Sequence, residues 1–304
     1  MPQSGPYPPP GASRAGFGGF HQMAAQTDIQ RDPLIERVVS TLGDVAGVEA
    51  IVLGGSRARG TSHENSDYDI GLYFSDSGSL DIDRLQQAAR QLADDPEATT
   101  VTTVGEWGPW IVGGAWLTVE GQKVDLLYRN IDAVRRTMQA CRAGQISMDY
   151  QPGHPHGFCS AIWMGEIAYC QALRDERAVI AELKSIALPY PKPLRDALIR
   201  RFRWEILFSI ENAELAVLHE DQIHVAGCAY RALTCVAQVL FALNGEYLIN
   251  EKAALQQAAE FPLTIPDLME QTSAIWRRIG NHAFGTALSN LRTIERELST
   301  LEPH

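Results

Sequence analysis

The spacing of apolar residues changes once along this chain, and that change constrains the fold more than any other feature. Between residues 48 and 128 the pattern predicts short strands with helices between them, whereas from about Phe158 apolar residues recur every three or four positions. Compact or alternating apolar runs are typical of strands, and a period near 3.6 is typical of amphipathic helices. We therefore expect an α+β fold, with a mixed sheet and flanking helices over residues 31–150 and an all-α helical bundle over residues 151–304.

Local signals predict the order of elements in both parts. Asp32 followed by Pro33 is typical of a helix start, because Asp caps the first turn and proline fits its first position. In the first part we predict helices over 33–43 and 82–94, and strands over 48–53, 67–74, 99–104, 114–119 and 123–128. In the second part we predict helices over 161–187, 194–219, 223–243, 251–259, 266–279 and 283–301.

The composition disfavours several classes of function. The 304 residues are 45% hydrophobic, which is typical of folded proteins and too high for a mainly disordered chain. The formal net charge of −11 disfavours nucleic-acid binding, because phosphate backbones are held mainly by basic side chains. No stretch approaches the roughly 20 uninterrupted apolar residues that cross a bilayer, so we expect no membrane partner.

The N-terminus and the cysteines bear on where the protein works. Residues 1–30 are rich in Pro, Gly and Ser, which predicts a flexible tail, and they lack the apolar core of a secretory signal. The five cysteines have no CxxC spacing, which is typical of reduced, buried thiols. Both observations favour a cytoplasmic protein.

A glycine pair directly after the first predicted strand could cradle a phosphate. Gly54 and Gly55 let the backbone turn tightly and bring its N–H groups close to a ligand, and Ser56 adds a hydroxyl. The next segment could open a helix, whose N-terminal amides favour anions. Arg57 and Arg59 follow as further phosphate-binding candidates, although one of them could instead pair with a nearby carboxylate.

Three aspartates are candidate ligands for divalent metal ions. Asp67 and Asp69 lie two positions apart on a predicted strand, so their side chains leave the same face and repel each other unless a cation lies between them. Asp125 lies between apolar residues of a later predicted strand, where an isolated charge is costly. Hard ions such as Mg²⁺ prefer carboxylate oxygens, and clustered carboxylates are the ingredients of a two-metal phosphoryl-transfer site.

Three other polar features have simpler interpretations. His154 and His156 flank a proline and have no partners at zinc spacing, which favours a solvated loop over a metal site. The basic run at 200–204 could reach a triphosphate, but a helix face with its aromatic side chains turned inward is favoured. Lys252 has the same two interpretations, with helix capping favoured.

The order of these motifs resembles the nucleotidyltransferase superfamily that includes DNA polymerase beta and kanamycin nucleotidyltransferase. The motif of that family stands here as Leu53-Gly54-Gly55-Ser56, ten intervening residues, Asp67-Tyr68-Asp69, and the later Asp125. The resemblance covers about residues 48–130, and the helical C-terminal domain is similar in kind to that of the small bacterial members. On this basis residues 31–150 are the expected nucleotidyltransferase domain.

The resemblance implies transfer of a nucleoside monophosphate, with AMP from ATP expected among the NTPs, onto a hydroxyl of a small molecule, with release of pyrophosphate. It implies that Asp67 and Asp69 bind two Mg²⁺ ions, that Asp125 completes the site, and that Gly55 and Ser56 hold phosphates. In the resembling antibiotic-modifying enzymes the acceptor lies between the two domains and a carboxylate can act as the base. The candidates for that base are Asp125, Glu106 and Glu166.

Other functions remain open from the sequence. The acceptor could be a protein or a tRNA, although the acidic net charge disfavours tRNA. A non-catalytic nucleotide-binding or antitoxin-like module would use the same fold, but the intact carboxylates and the glycine pair favour an enzyme. The sequence also leaves open the acceptor, the base of the NTP and the oligomeric state, a homodimer included.

Overall fold

The structure, a computed structural model, describes residues 32–301, so the predicted tail at 1–30 lies outside the described residues. The first part contains α1 (Pro33–Gly43), β1 (Ala50–Leu53), α2 (Gly55–Ala58), β2 (Tyr68–Phe74), α3 (Ile82–Leu92), β3 (Gly114–Val119), β4 (Gln122–Asn130) and α4 (Ile131–Arg142). Beyond it follow β5 (Met148–Asp149), β6 (Phe158–Cys159), α5 (Ile162–Tyr169), β7 (Gln171–Arg174), α6 (Val179–Ala187), α7 (Lys192–Val217), α8 (Gln222–Asn244), α9 (Ala254–Ala259), α10 (Leu268–Gly280) and α11 (Phe284–Thr300). This arrangement confirms the predicted α+β fold with a helical C-terminal region.

The central sheet has five strands in the order β3-β4-β2-β1-β7. Strands β2 and β4 run parallel, whereas the other three neighbouring pairs run antiparallel. A parallel pair needs a long crossover between its strands. Here the chain between β2 and β4 supplies it with α3, a loop and the edge strand β3.

The two faces of the sheet pack against different layers. Leu34 and Leu42 of α1 and Leu85 of α3 are buried in one apolar core with Ile51 and Leu72 of the sheet. On the other face, inward residues of β1 and β2 join the core of the helical region. The sheet is thus covered by helices on both sides, and its second face meets the helical C-terminal region.

The predicted strand over 99–104 was wrong, because this segment forms a loop beside the edge strand β3. The Thr102 hydroxyl accepts from the Gly114 N–H at 2.8 Å, and the Thr102 N–H donates to the Gly114 oxygen at 3.0 Å. The Gly114 N–H is therefore bonded to the Thr102 side chain, and it is not available for the backbone hydrogen bond that would pair this segment with β3 as a strand. The positive φ values of Gly105 and Gly113 turn the chain away on either side.

The predicted continuous helix over 161–187 was also wrong. The chain forms α5, then β7, then α6, because the exposed edge of β1 pairs with β7 in the registers Val52↔Ala172 and Leu53↔Gln171. The ammonium group of Lys184, in α6, donates to the backbone oxygens of Ala168 and Cys170 at the C-terminal end of α5. The sheet therefore takes its fifth strand from beyond residue 150, where the predicted helical domain begins.

The remaining helices of the C-terminal region lie within a few residues of their predicted bounds, and α7 packs along α8 at the centre of this region. Helix α8 is long and apolar enough to cross a bilayer by those two measures. However, 72% of its most apolar window is buried inside the protein. That burial is what a helix at the centre of a protein core requires.

Candidate active site

Asp69 and Asp125 are direct neighbours across the sheet. Strands β2 and β4 pair in parallel register with Asp69 opposite Asp125, so both side chains leave the same face at adjacent positions. Asp67 lies immediately before β2, on the same side by its two-residue spacing. The structure therefore brings the three sequence-predicted carboxylates to one place at the ends of two central strands.

The glycine turn after β1 is packed against Asp69. The Gly54 N–H donates to the Asp69 backbone oxygen at 2.8 Å. Gly55 has φ +62°, and a Cβ built on it would lie 1.8 Å from Oδ2 of Asp69. Glycine is therefore required at this position both for the left-handed backbone and for the space that the carboxylate occupies.

Neighbouring carboxylates destabilise the charged forms of Asp69 and Asp125. Burial, followed by the charges of Asp125, Glu166 and Asp67, raises the pKa of Asp69 to about 6, and Arg129 offsets part of this effect. Burial and the nearby charge of Asp67 also raise the pKa of Asp125, against the opposing charges of Lys123 and Lys252. Like charges held this close favour either protonation or a bound cation.

The chemistry of this donor set fits a divalent metal ion. All three candidate side chains offer oxygen atoms, which Mg²⁺ prefers, and Asp69 lines a cleft where a triphosphate could complete the coordination. Asp67, Asp69 and Asp125 are therefore the residues that could hold such an ion.

The two predicted arginines have different surroundings. Arg57 stacks on the Tyr68 ring, with its guanidinium carbon 3.7 Å from the ring centroid, and donates twice to the Ser66 oxygen at 3.0 and 2.6 Å. Arg57 therefore braces the loop that leads into β2. Arg59 lines the cleft, and its Nε is buried without a hydrogen-bond partner among residues 32–301.

A cleft of about 390 Å³ lies between the sheet and the helical region. The turn residues Gly54, Gly55 and Ser56 line it together with Asp69. Its walls include side chains from the helical region and from the loop after α8, namely Glu166, Tyr169, Phe241, Tyr247, Ile249, Asn250, Lys252 and Gln257. The volume is within the range of small-molecule sites, about 300–1,000 Å³.

The structure separates the other two candidate bases. Glu166 lines the cleft, and both of its oxygens accept hydrogen bonds from Arg129, at 3.2 and 3.3 Å. Glu106 is not among the residues that line the cleft, and its carboxylate accepts from the Thr103 N–H at 3.0 Å and from the Thr103 hydroxyl. Of the three candidates, Asp125 is the carboxylate that lies beside the candidate metal ligand Asp69.

The sequence analysis missed one site residue, Arg129, and favoured the wrong one of two interpretations for another. Arg129 is 3% exposed, lines the cleft and pairs with Glu166. It lies on β4 four residues after Asp125, so strand alternation places it on the same face, and that spacing could have identified it. Lys252 also lines the cleft, although helix capping was the favoured interpretation for it.

The predicted solvated loop around the histidines was wrong. The His154 side chain is 8% exposed and its Nδ1 lies 3.2 Å from Oε2 of Glu251. The His156 N–H donates to the other oxygen of Glu251 at 3.0 Å. Glu251 thus ties the loop after α8 to the histidine segment, and this places the neighbouring Lys252 beside the cleft.

A second group of possible metal ligands lies deeper in the helical region. Ligand atoms of His156, Glu205 and Cys235 lie within 4.8 Å of one another. Arg201 and Arg231 both contact the Glu205 carboxylate, at 3.3 and 3.2 Å. Two guanidinium groups already neutralise that carboxylate, so this cluster is a buried ion-pair network with little need for a cation.

Comparison with known proteins supports the same type of domain. Residues 36–102 match the family model described as polymerase beta, nucleotidyltransferase. The match includes the glycine turn with Asp67 and Asp69, and it ends before Asp125. No curated protein matches the chain at the level required of a relative.

One similar solved structure is the crystal structure of a nucleotidyltransferase-like protein from Exiguobacterium sibiricum. It is 10% identical, with a TM-score of 0.40, and the alignment covers 91% of this chain and 74% of that one. The family match and the positions of the motif within it are what identify the domain. Residues 36–102 are thus similar to the nucleotidyltransferase domain of the polymerase beta type.

Proposed function

We propose that this protein is a Mg²⁺-dependent nucleotidyltransferase that moves a nucleoside monophosphate, AMP from ATP, onto a hydroxyl group of a small molecule. The observation that carries the proposal is the register of Asp69 opposite Asp125, with the Gly55 turn packed against the Asp69 carboxylate. Partly buried carboxylates such as Asp69, whose pKa neighbouring carboxylates raise, are expected where a cation is part of the working state. We expect the reaction in the cytoplasm.

Asp67, Asp69 and Asp125 would hold the metal ions. When bound there, divalent ions neutralise the triphosphate and make the α-phosphorus more electrophilic. The repulsion among the three carboxylates favours such binding, because a cation removes the cost of keeping Asp69 charged at neutral pH.

The remaining contacts to the triphosphate come from the turn and from one arginine. Gly55 and Ser56 line the cleft, where the Gly55 backbone and the Ser56 hydroxyl would donate to phosphate oxygens. Arg59 supports this assignment, because a buried guanidinium donor without a protein partner is suited to an anionic ligand. Arg57 is occupied by the Ser66 oxygen and has a bracing role instead.

Asp125 is the base that the geometry favours. Both oxygens of Glu166 are engaged by Arg129, and Glu106 accepts from Thr103 in its own loop, whereas Asp125 lies opposite Asp69 in the sheet. Burial raises the pKa of Asp125, and a raised pKa brings a carboxylate closer to the operating pH of a proton acceptor. The acceptor hydroxyl would give its proton to this carboxylate as its oxygen attacks the α-phosphorus.

The test uses the full-length protein with ATP labelled at the α-phosphate, Mg²⁺, and a panel of small alcohols, tRNA and protein. Pyrophosphate release and label transfer to a small alcohol are expected for the wild type, with losses of at least 100-fold in Asp69→Asn and Asp125→Asn. Glu106→Gln is the matched control and should keep full activity. The proposal fails if the wild type releases no pyrophosphate with any acceptor, or if label moves only to tRNA or protein.

A further inference from the structure

A second cavity, of about 380 Å³, lies beside the cleft in the helical region. Most of its lining is apolar or aromatic, with Leu233 and Ala237 from α8, Leu255 from α9, and the rings of Tyr230 and Trp276. Its lining residues do not include the glycine turn or Asp69. A cavity of this size and lining is suited to a ring-sized apolar body.

The two cavities share a wall. Asn250 and Lys252 line both of them, so one short segment borders the nucleotide cleft and the apolar cavity alike. The neighbouring Glu251 holds this segment in place through His154 and the backbone of His156. The charge of Lys252 also acts on Asp125, which places this end of the wall near the proposed base.

The charges around the second cavity disfavour polycationic ligands. Glu251 is the one carboxylate among the residues that line it, and both of its oxygens are already engaged. Lys252 contributes a positive charge. A polycationic ligand would therefore meet a lysine and find no carboxylate to pair with, whereas a neutral or anionic ligand would meet no such penalty.

We propose that this cavity binds the acceptor, and that the acceptor is a neutral or anionic molecule with an apolar ring system. Its hydroxyl would project past Asn250 and Lys252 toward the nucleotide. This inference rests on the proposed function and names its substrate class. It separates the protein from enzymes whose acceptors are polycationic sugars.

The transfer step balances as a substitution at phosphorus. The acceptor oxygen forms a bond to the α-phosphorus of ATP, and the bond from that phosphorus to the oxygen that bridges to the β-phosphate breaks. Pyrophosphate leaves with the electron pair of the broken bond. The hydroxyl proton passes to the Asp125 carboxylate and then to solvent.

Two adjacent glutamines of α9 provide a matched pair of variants. Gln256 is exposed and lines the apolar cavity, whereas Gln257 lines the nucleotide cleft. Gln256→Trp should fill the apolar cavity, and Gln257→Trp should narrow the cleft. Trp276→Ala, at a ring that is 38% exposed, removes part of the cavity wall without emptying the core.

Calorimetric titration measures binding of 2-naphthol, kanamycin and, separately, Mg²⁺ with a non-hydrolysable ATP analogue. We expect the wild type to bind 2-naphthol in the absence of nucleotide and kanamycin at least tenfold more weakly. Gln256→Trp and Trp276→Ala should each weaken 2-naphthol binding at least tenfold and leave the ATP analogue unaffected. Gln257→Trp should do the reverse.

The outcomes separate the two proposals. Tighter binding of kanamycin than of 2-naphthol, or undiminished 2-naphthol binding in both Gln256→Trp and Trp276→Ala, overturns the assignment of the acceptor cavity while nucleotide binding still stands. Failure of the wild type to bind the ATP analogue with Mg²⁺ overturns the proposed function, and with it the transfer to this acceptor.

Discussion

Gly55 and the Asp69 carboxylate occupy adjoining space, such that a Cβ on Gly55 would lie 1.8 Å from Oδ2 of Asp69. Gly55→Ala should therefore displace the carboxylate and reduce nucleotidyl transfer at least 100-fold. It should also lower the free energy of unfolding by about 1–3 kcal/mol, because alanine is strained at positive φ. Pyrophosphate release and urea unfolding measure the two effects.

Gly60→Ala is the matched control for that substitution. Gly60 has φ +69°, close to that of Gly55, but nothing lies within 4 Å of its Cβ position. Alanine there should carry the same backbone strain and retain activity. Equal loss of activity in the two variants would show that strain, rather than contact with Asp69, is responsible.

Asp69→Asn should stabilise the metal-free protein. The pKa of Asp69 is raised from 3.8 to about 6 in the folded state, so folding takes up a proton between these pH values. The free energy of unfolding keeps its full value with respect to this group below pH 3.8, where the carboxyl is protonated in both states. It falls as the pH rises through 6, and the loss reaches about 3 kcal/mol above that pH. The advantage of the variant should grow across this window and then level off.

Urea unfolding in EDTA at pH 4.5 to 8 checks this prediction. Added Mg²⁺ should raise the unfolding free energy of the wild type more than that of Asp69→Asn, because the variant lacks one carboxylate ligand. A variant that is no more stable than the wild type at pH 8 would contradict the raised pKa.

Arg57→Ala and Arg59→Ala should affect different properties. Arg57 stacks on Tyr68 and bonds to the Ser66 oxygen, so its loss should lower the melting temperature. Arg59 has a buried donor without a partner in the described part of the chain, so its loss should raise the KM for ATP roughly 10- to 100-fold, as expected for a charge-assisted phosphate contact. Steady-state kinetics and thermal unfolding on both variants distinguish the two roles.

Glu166→Gln should destabilise the protein by about 2–4 kcal/mol, because it leaves Arg129, which is 3% exposed, without its charged partner. The partial exposure of Glu166 keeps the effect at the lower part of this range. In the double variant Arg129→Met, Glu166→Gln much of the stability should return. Unfolding free energies of the two single variants and the double variant form the thermodynamic cycle, and additive losses would contradict the pairing.

Local sequence determined part of the site, and long-range pairing determined the rest. The glycine turn and the spacing of Asp67 and Asp69 depend on a few consecutive residues, so their arrangement was predictable. That Asp125 joins them depends on parallel pairing of β2 with β4 across 56 residues, for which the family resemblance supplied the expectation. The position of Lys252 at the cleft depends on the contacts of Glu251 with His154 and His156, which no local pattern reveals.

The errors in the fold have the same origin. Residues 171–174 lie between two helical stretches, and they become a strand because β1 offers an open edge. Helix α4 was missed, although Asn130 caps it through a hydrogen bond to the Ala133 N–H, which is a common signal of a helix start. Tertiary contacts overrode the periodicity in the first case, and an available local signal was overlooked in the second.

The pairing of β7 with β1 limits how the protein can admit its substrates. Because a strand from the C-terminal half is hydrogen-bonded into the sheet, the two sides of the cleft are linked by backbone hydrogen bonds. This link opposes a hinge motion that would separate them. We therefore expect substrate entry and product release to depend on small local movements. The segment around Asn250 and Lys252 borders both cavities, and it is the part of the wall where we expect such a movement.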